Sequence, residues 1–227
     1  MMEFLVLILS VLIGSVSVLV TKPSKQFIQI LLTFSGAYLL SVTILHLLPE
    51  VYVTDTKNIG LFILFGILIQ SILENFSKGV EHGHIHAHNN LEKVPWLLLI
   101  SLGLHAFFEG IPLSNDHNHN HSLLWAIFIH KIPISIVLTS FLIQSKFKNI
   151  ATISIVFLFA LMSPLGFLVS DNISFFTKYL TELTAIIVGI FLHISTIILF
   201  ETSENHRFNF KKLIAILFGF FIAWISL

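Results

Sequence analysis

Long stretches with almost no charge recur from one end of this chain to the other, and that recurrence limits the fold more than any single motif. They cover residues 4–21, 27–49, 58–73, 94–113, 122–145, 149–170, 183–200 and 213–227. A helix of about 20 apolar residues crosses the hydrocarbon core of a bilayer. The last stretch is the shortest. Phe208 and Phe210 extend it while Lys211 and Lys212 reach back to the interface. Backbone groups in lipid must bond internally, and none of the stretches alternates as a barrel strand does, so the expectation is eight transmembrane helices. Only 11% of the 227 residues are charged, against roughly 25% in an average soluble chain. A surface so poor in charge does not suit a soluble domain, and residues 1–227 read as one membrane domain. The formal net charge is +0, which leaves no basic field for nucleic acid. Cysteine is absent, which excludes disulfides, thiolate metal sites and Cys nucleophiles. The segment before the first stretch carries Glu3 rather than basic residues and no small-residue cleavage site follows, so a helix is expected there rather than a signal peptide.

The connections differ in charge. Those of odd number hold nine Lys and Arg, and those of even number hold two, Lys57 and Lys178. The positive-inside bias then places the odd connections in the cytoplasm and both termini outside a cell membrane, plasma or inner.

Ionisable residues inside membrane helices are costly and mark a pathway or site by default. The fourth stretch holds His105 and Glu109, four apart and so on one helix face. The fifth holds His130 and Lys131. Helical rise puts His105 and His130 near mid-membrane. Pro112 and Pro133 each free the carbonyl four residues earlier, which a cation or water could then use. The short connection between the two stretches predicts antiparallel neighbours. Two imidazoles and a carboxylate form a zinc-type ligand set with an open position. The set also suits Fe(II), Mn(II), Co(II) and Ni(II). A purely structural alternative is that His105 and Glu109 bond to each other or to Lys131.

Further polar groups lie along the same route. His46 and Glu50 form a second pair four apart near the end of the second stretch, and His193 sits in the seventh. His46, Glu50 and His193 are candidate pathway residues. Glu50 and Glu201 stand at helix ends, where a structural role is equally natural. Histidine numbers 12, as many as Lys and Arg together. Four of them, His82, His84, His86 and His88, alternate in a His-rich connection over residues 74–93. Three more, His117, His119 and His121, follow Asp116 in the next connection. Alternating histidines suit metal capture or buffering, so the inner tract is expected to receive metal and the outer tract to collect it.

These pieces resemble the ZIP metal transporters. The resemblance rests on His105, Glu109 and Gly110 in the fourth stretch and on His130-Lys131-Ile132-Pro133 in the fifth. It also rests on His46-Leu47-Leu48-Pro49-Glu50 in the second and the His-rich connection after the third. Met162-Ser163-Pro164-Leu165-Gly166 looks like the family's Pro-Leu-Gly segment. Gly189-Ile190-Phe191-Leu192-His193 looks like its Gly-Thr-Phe-Leu-Tyr segment, with His in place of the aromatic. Eight helices with both termini outside fit that family. The resemblance implies uptake of divalent metal into the cytoplasm, zinc first with iron or manganese as alternatives. It implies a transport site between helices 4 and 5, and an all-α bundle whose first and last three helices form inverted repeats. Three positions depart from the family pattern. Ala106 stands where many members have Asn or Ser, and Ile134 where many have a carboxylate or His. Lys131 stands where binuclear members have an acid. An ammonium there repels a second dication and can take its place beside Glu109, so one transport metal is expected. The bilayer and divalent metals are the expected partners, and a homodimer stays open.

Three other functions share parts of the pattern. An intramembrane zinc metallohydrolase could use the same ligands, but no HExxH occurs and no spare carboxylate offers a general base. A haem bundle could use His46, His105, His130 and His193 as axial ligands. A metal sensor without flux would look the same in sequence.

Overall fold

The structure, a computed structural model, describes residues 2–54, 56–77, 95–115, 121–145, 147–200 and 210–226. Every regular element among them is helical. The long helices are α1 (Met2–Thr21), α2 (Lys25–Val53), α3 (Ile59–Ser77), α4 (Trp96–Gly110), α5 (Ser122–Gln144), α6 (Asn149–Asn172), α7 (Leu180–Phe200) and α8 (Phe210–Ser226). A short helix, Ser174–Lys178, links α6 to α7. Seven of the described helices, α1 to α7 with the turn that extends α4, are long and apolar enough to cross a membrane. The eighth has 17 residues and is equally apolar.

Local chemistry explains where these helices stop and bend. Lys22 has a left-handed φ of 46° and Pro23 follows, so α1 ends there. Ser24 then caps α2, its hydroxyl accepting from the Phe27 amide at 3.2 Å. Pro49 lacks an amide proton, and its ring crowds the carbonyl of Leu45. The helix adjusts by widening into a π-turn over Thr43–Leu47, with the Leu48 amide bonding to the Thr43 carbonyl. Pro112 acts in the same way on α4, which tightens into a 3₁₀ turn at Ile111–Asn115. The Ile111 amide bonds to the Phe108 carbonyl, so the acceptor that Pro112 releases is taken up within the chain.

Helix neighbours are set largely by glycine. In lipid, small residues let backbones approach closely. A Cβ at Gly66 of α3 would overlap the Ile186 carbonyl of α7, and one at Gly189 of α7 would overlap the Ile63 carbonyl of α3. Gly110 of α4 and Gly166 of α6 have the same reciprocal relation to Ser163 and Phe107. Gly14 of α1 faces Ile132 and Ser135 of α5. Beyond these pairs, α1 also packs on α6, α2 on α5, α7 and α8, and α3 on α4. Helix α5 is the central element, with 72% of its apolar window buried against 28% for α3 and for α6. The outer helices show bulky apolar side chains outward, such as Leu5, Leu9 and Leu12 of α1 and Phe218, Phe221 and Trp224 of α8. That is the arrangement a lipid solvent requires.

Many of the hydroxyl groups inside the bundle are satisfied within it. Ser10, Thr33, Ser41 and Thr43 donate to carbonyls three or four residues back. Others cross between helices. Ser101 donates to the Leu73 carbonyl (2.6 Å), Thr139 to Ser15 (3.0 Å), and Tyr38 pairs with Ser226 (2.9 Å).

Candidate metal centre

Helix α4 brings His105 and Glu109 one above the other on its inward face, and α5 brings His130 and Lys131 against them. All four side chains are at most 1% exposed. His105 Nε2 lies 3.0 Å from Glu109 Oε1, and His130 Nε2 lies 3.9 Å from the same oxygen. The two imidazole rings stand edge to face, their centroids 6.1 Å apart. One ligand atom from each of His105, Glu109 and His130 lies within 4.8 Å of the others. No other group of three His or acidic side chains converges in this way among the described residues.

Lys131 takes the other half of the carboxylate. Its Nζ donates to Glu109 Oε2 at 2.6 Å and to Ser163 Oγ at 2.5 Å. Ser163 in turn donates to the Ala106 carbonyl. The ammonium also lies 5.2 Å from the centre of the Phe159 ring, a cation–π contact. Glu109 is thus divided, one oxygen toward two imidazoles and the other toward an ammonium. The expected antiparallel contact of α4 and α5 takes a particular form. Their backbones are not among the closely packed pairs, and the two helices meet through these long side chains. The close backbone partner of α4 is α6, which delivers Ser163 and Phe159.

The remaining candidates sit elsewhere. His46 is half-buried in the π-turn of α2 and Glu50 is exposed one turn on, and neither joins the cluster. His193 of α7 bonds instead to Glu74 of α3, Nε2 to Oε2 at 2.7 Å, with both side chains about one-fifth exposed. That pair is separate from the central set. His121 is half-buried at the start of α5, its carbonyl accepting from the Trp125 amide. His82, His84, His86, His88, Asp116, His117, His119 and Glu201 lie outside the described residues.

Sequence reasoning missed Ser163, Phe159 and Glu74. Ser and Phe are ordinary in membrane helices and carry no signal alone. Glu74 was legible as a carboxylate one residue past the third stretch, but helix α3 runs on to Ser77 and turns it toward α7.

The fold and the cluster define a class: a multi-pass helical membrane protein with two imidazoles and a carboxylate, a set able to hold a metal ion, buried in its bundle. Comparison with known proteins sharpens this. Residues 81–226 match the sequence profile of the ZIP zinc transporters, and the chain belongs to that family. The family is one of transporters rather than enzymes, which sets the metallohydrolase reading aside. The chain is 37% identical over 87 residues to zinc transporter ZIP1 of Danio rerio, a match covering 37% of this chain and 28% of the relative. It is 33% identical over 103 residues to protein zntD of Dictyostelium discoideum, covering 39% of this chain and 15% of the relative. The chain therefore aligns with less than a third of the length of either curated relative.

Proposed function

We propose that this chain carries zinc into the cytoplasm across a cell membrane, with Fe(II) or Mn(II) as alternative substrates, through a single site formed by His105, Glu109 and His130. The observation that supports this most directly is the buried grouping itself, two imidazoles and a carboxylate oxygen within 4.8 Å. A site with three protein ligands and open positions holds a dication without trapping it. The zinc named in the family and in its relative from Danio rerio favours zinc among the metals these ligands accept.

Lys131 gives the site its character. Without metal, its ammonium neutralises Glu109. When a dication enters, Glu109 Oε1 and the imidazoles bind it while Lys131 retains Ser163 and Phe159. The ammonium fills the position a second metal would need, so the site holds one ion. His117, His119, His121 and Asp116 collect metal outside. His46, Glu50 and His193 flank the route, and His82, His84, His86 and His88 receive metal inside.

The pairing of helices supports eight spans built on inverted repeats. Exchanging α1 with α6, α2 with α7, α3 with α8 and α4 with α5 turns the α1–α5 contact into α6–α4, and the α3–α7 contact into α8–α2. Elements so exchanged run in opposite directions through the bilayer, as an inverted repeat requires.

The test is uptake of zinc, iron and manganese by liposomes holding the purified protein. Glu109→Ala combined with His105→Ala abolishes uptake on this reading. Transport at the wild-type rate by that double variant sinks it.

A further inference from the structure

Away from the metal centre, a groove of about 690 Å³ opens on the lipid-facing side, between α4 and α6 with Leu138 of α5 at its base. Trp96, Gly103 and Phe107 form one wall, and Leu158, Phe159 and Met162 form the other. Ser154 is the one hydroxyl among the lining residues. Walls of this kind do not suit a polar solute. The groove also has a direction. Its α4 wall runs from Trp96 to Phe107 and its α6 wall from Ala151 to Met162, twelve residues and eleven helical rises in each case. At the rise of an α-helix that is about 16 Å, close to one leaflet, roughly half of a 30 Å hydrocarbon core.

The two ends of the groove differ. Both walls start at the first turns of their helices. Trp96 opens α4 and is well exposed, where an aromatic belt residue belongs. Lys148, exposed, immediately precedes α6, three residues before Ala151. The deep end is Phe107 and Met162, beside Ala106 and Ser163 of the metal centre. Phe159, in the α6 wall, is also the ring beside the Lys131 ammonium.

We propose that this groove is a lipid site, holding one acyl chain of an anionic phospholipid whose phosphate pairs with Lys148. Length, apolar walls and a cation at the mouth together select this occupant. A second copy of the chain would have no use for the cation, and a zwitterionic lipid offsets its phosphate with its own ammonium, so an anionic lipid gains most from it. The lipid and the metal centre share Phe159 as a common wall. The site does not depend on which metal is carried, because its observations are those of the groove.

The experiment uses the whole protein in liposomes with phosphatidylglycerol or phosphatidylcholine carrying a photoreactive group in the tail, followed by peptide mapping. The expected labels fall on residues 96–107 and 151–162, several-fold more from the anionic lipid. A Cβ at Gly103 meets only the Met162 side chain, at 3.8 Å, so a larger side chain there points into the groove. Gly103→Phe should remove the labels while leaving those on the outer face of α8 unchanged. Lys148→Gln should abolish the preference for the anionic lipid and keep the groove labels. If Gly103→Phe does not fold, Leu158→Trp fills the same space from the opposite wall. Labels spread evenly over all lipid-facing helices, labels indifferent to the filling variant, or a crosslink to a second copy in the groove would each overturn the proposal.

Discussion

Glu109 serves three partners with two oxygens. Oε2 is bound to Lys131 at 2.6 Å, and Oε1 faces His105 and His130. Removing one member of a buried ion pair strands the other, at a cost on the order of 3–5 kcal/mol. Lys131→Met should therefore lower the thermal stability of the metal-free protein in detergent. It leaves Glu109 as an uncompensated anion beside two imidazoles, so added zinc should restore much of the loss. Wild type should gain less from the same zinc, since its carboxylate already has a cation. An equal zinc effect in both proteins would mean that Lys131 does not compete with metal. Acid should oppose metal binding in both, because the ligands must be neutral imidazoles and an ionised carboxylate. Zinc affinity of the purified protein, measured by competition with a chelator, should fall steadily as pH drops from neutral. The convergence of His105, Glu109 and His130 was legible in the sequence, because ionisable residues are rare in lipid and helical spacing puts His105 and Glu109 on one face. The surroundings of Lys131 were not. Ser163 and Phe159 lie 32 and 28 positions beyond it and meet it only because Gly110 and Gly166 draw α4 and α6 together.

The glycine pair between α4 and α6 therefore acts at the level of the element. It sets how deeply α6 inserts Ser163 between the Ala106 carbonyl and the Lys131 ammonium. Gly110→Ala and Gly166→Ala each force a Cβ into backbone of the facing helix. Each should cost about 1–3 kcal/mol by overpacking and weaken the metal centre at the same time. Gly103→Ala is the matched comparison on the same helix. Its Cβ finds open contact, and Ala favours a helix over Gly by about 1 kcal/mol, so it should be neutral or slightly stabilising. Melting curves of the three variants, with and without zinc, separate these outcomes. Equal destabilisation by all three would show that the α4–α6 approach is not special. The prolines illustrate what periodicity leaves out at this scale. Pro112 promised a released carbonyl, yet that of Phe108 is taken up by the Ile111 amide in a 3₁₀ turn, while Pro49 is accommodated by a π-turn. A sequence marks where a helix must yield. Which hydrogen bond replaces the lost one depends on the neighbouring turns.

Across the whole molecule, the basic residues make the strongest statement about orientation. Nine lie in connections of odd number and two in connections of even number, while Lys131 is buried at the metal centre. An odd number of helices separates Lys57 from Lys148, and likewise Lys148 from Lys178. If every long helix crosses the bilayer, Lys25 and Lys148 share one face and Lys57 and Lys178 share the other. All four are exposed, and the chain has no cysteine of its own. Lys25→Cys, Lys57→Cys, Lys148→Cys and Lys178→Cys, made one at a time, therefore need no background changes before labelling. A membrane-impermeant maleimide applied to intact cells should label Lys57→Cys and Lys178→Cys. It should reach the other two only after the membrane is opened. The inverse pattern would reverse the bundle and the direction of transport with it. A mixed pattern, such as Lys25→Cys and Lys148→Cys on opposite faces, would mean that one of the helices between them does not cross. That would break the exchange of α1 to α3 with α6 to α8, because α1 and α6 run in opposite directions only if an even number of crossings, α2 to α5, separates the end of α1 from the start of α6.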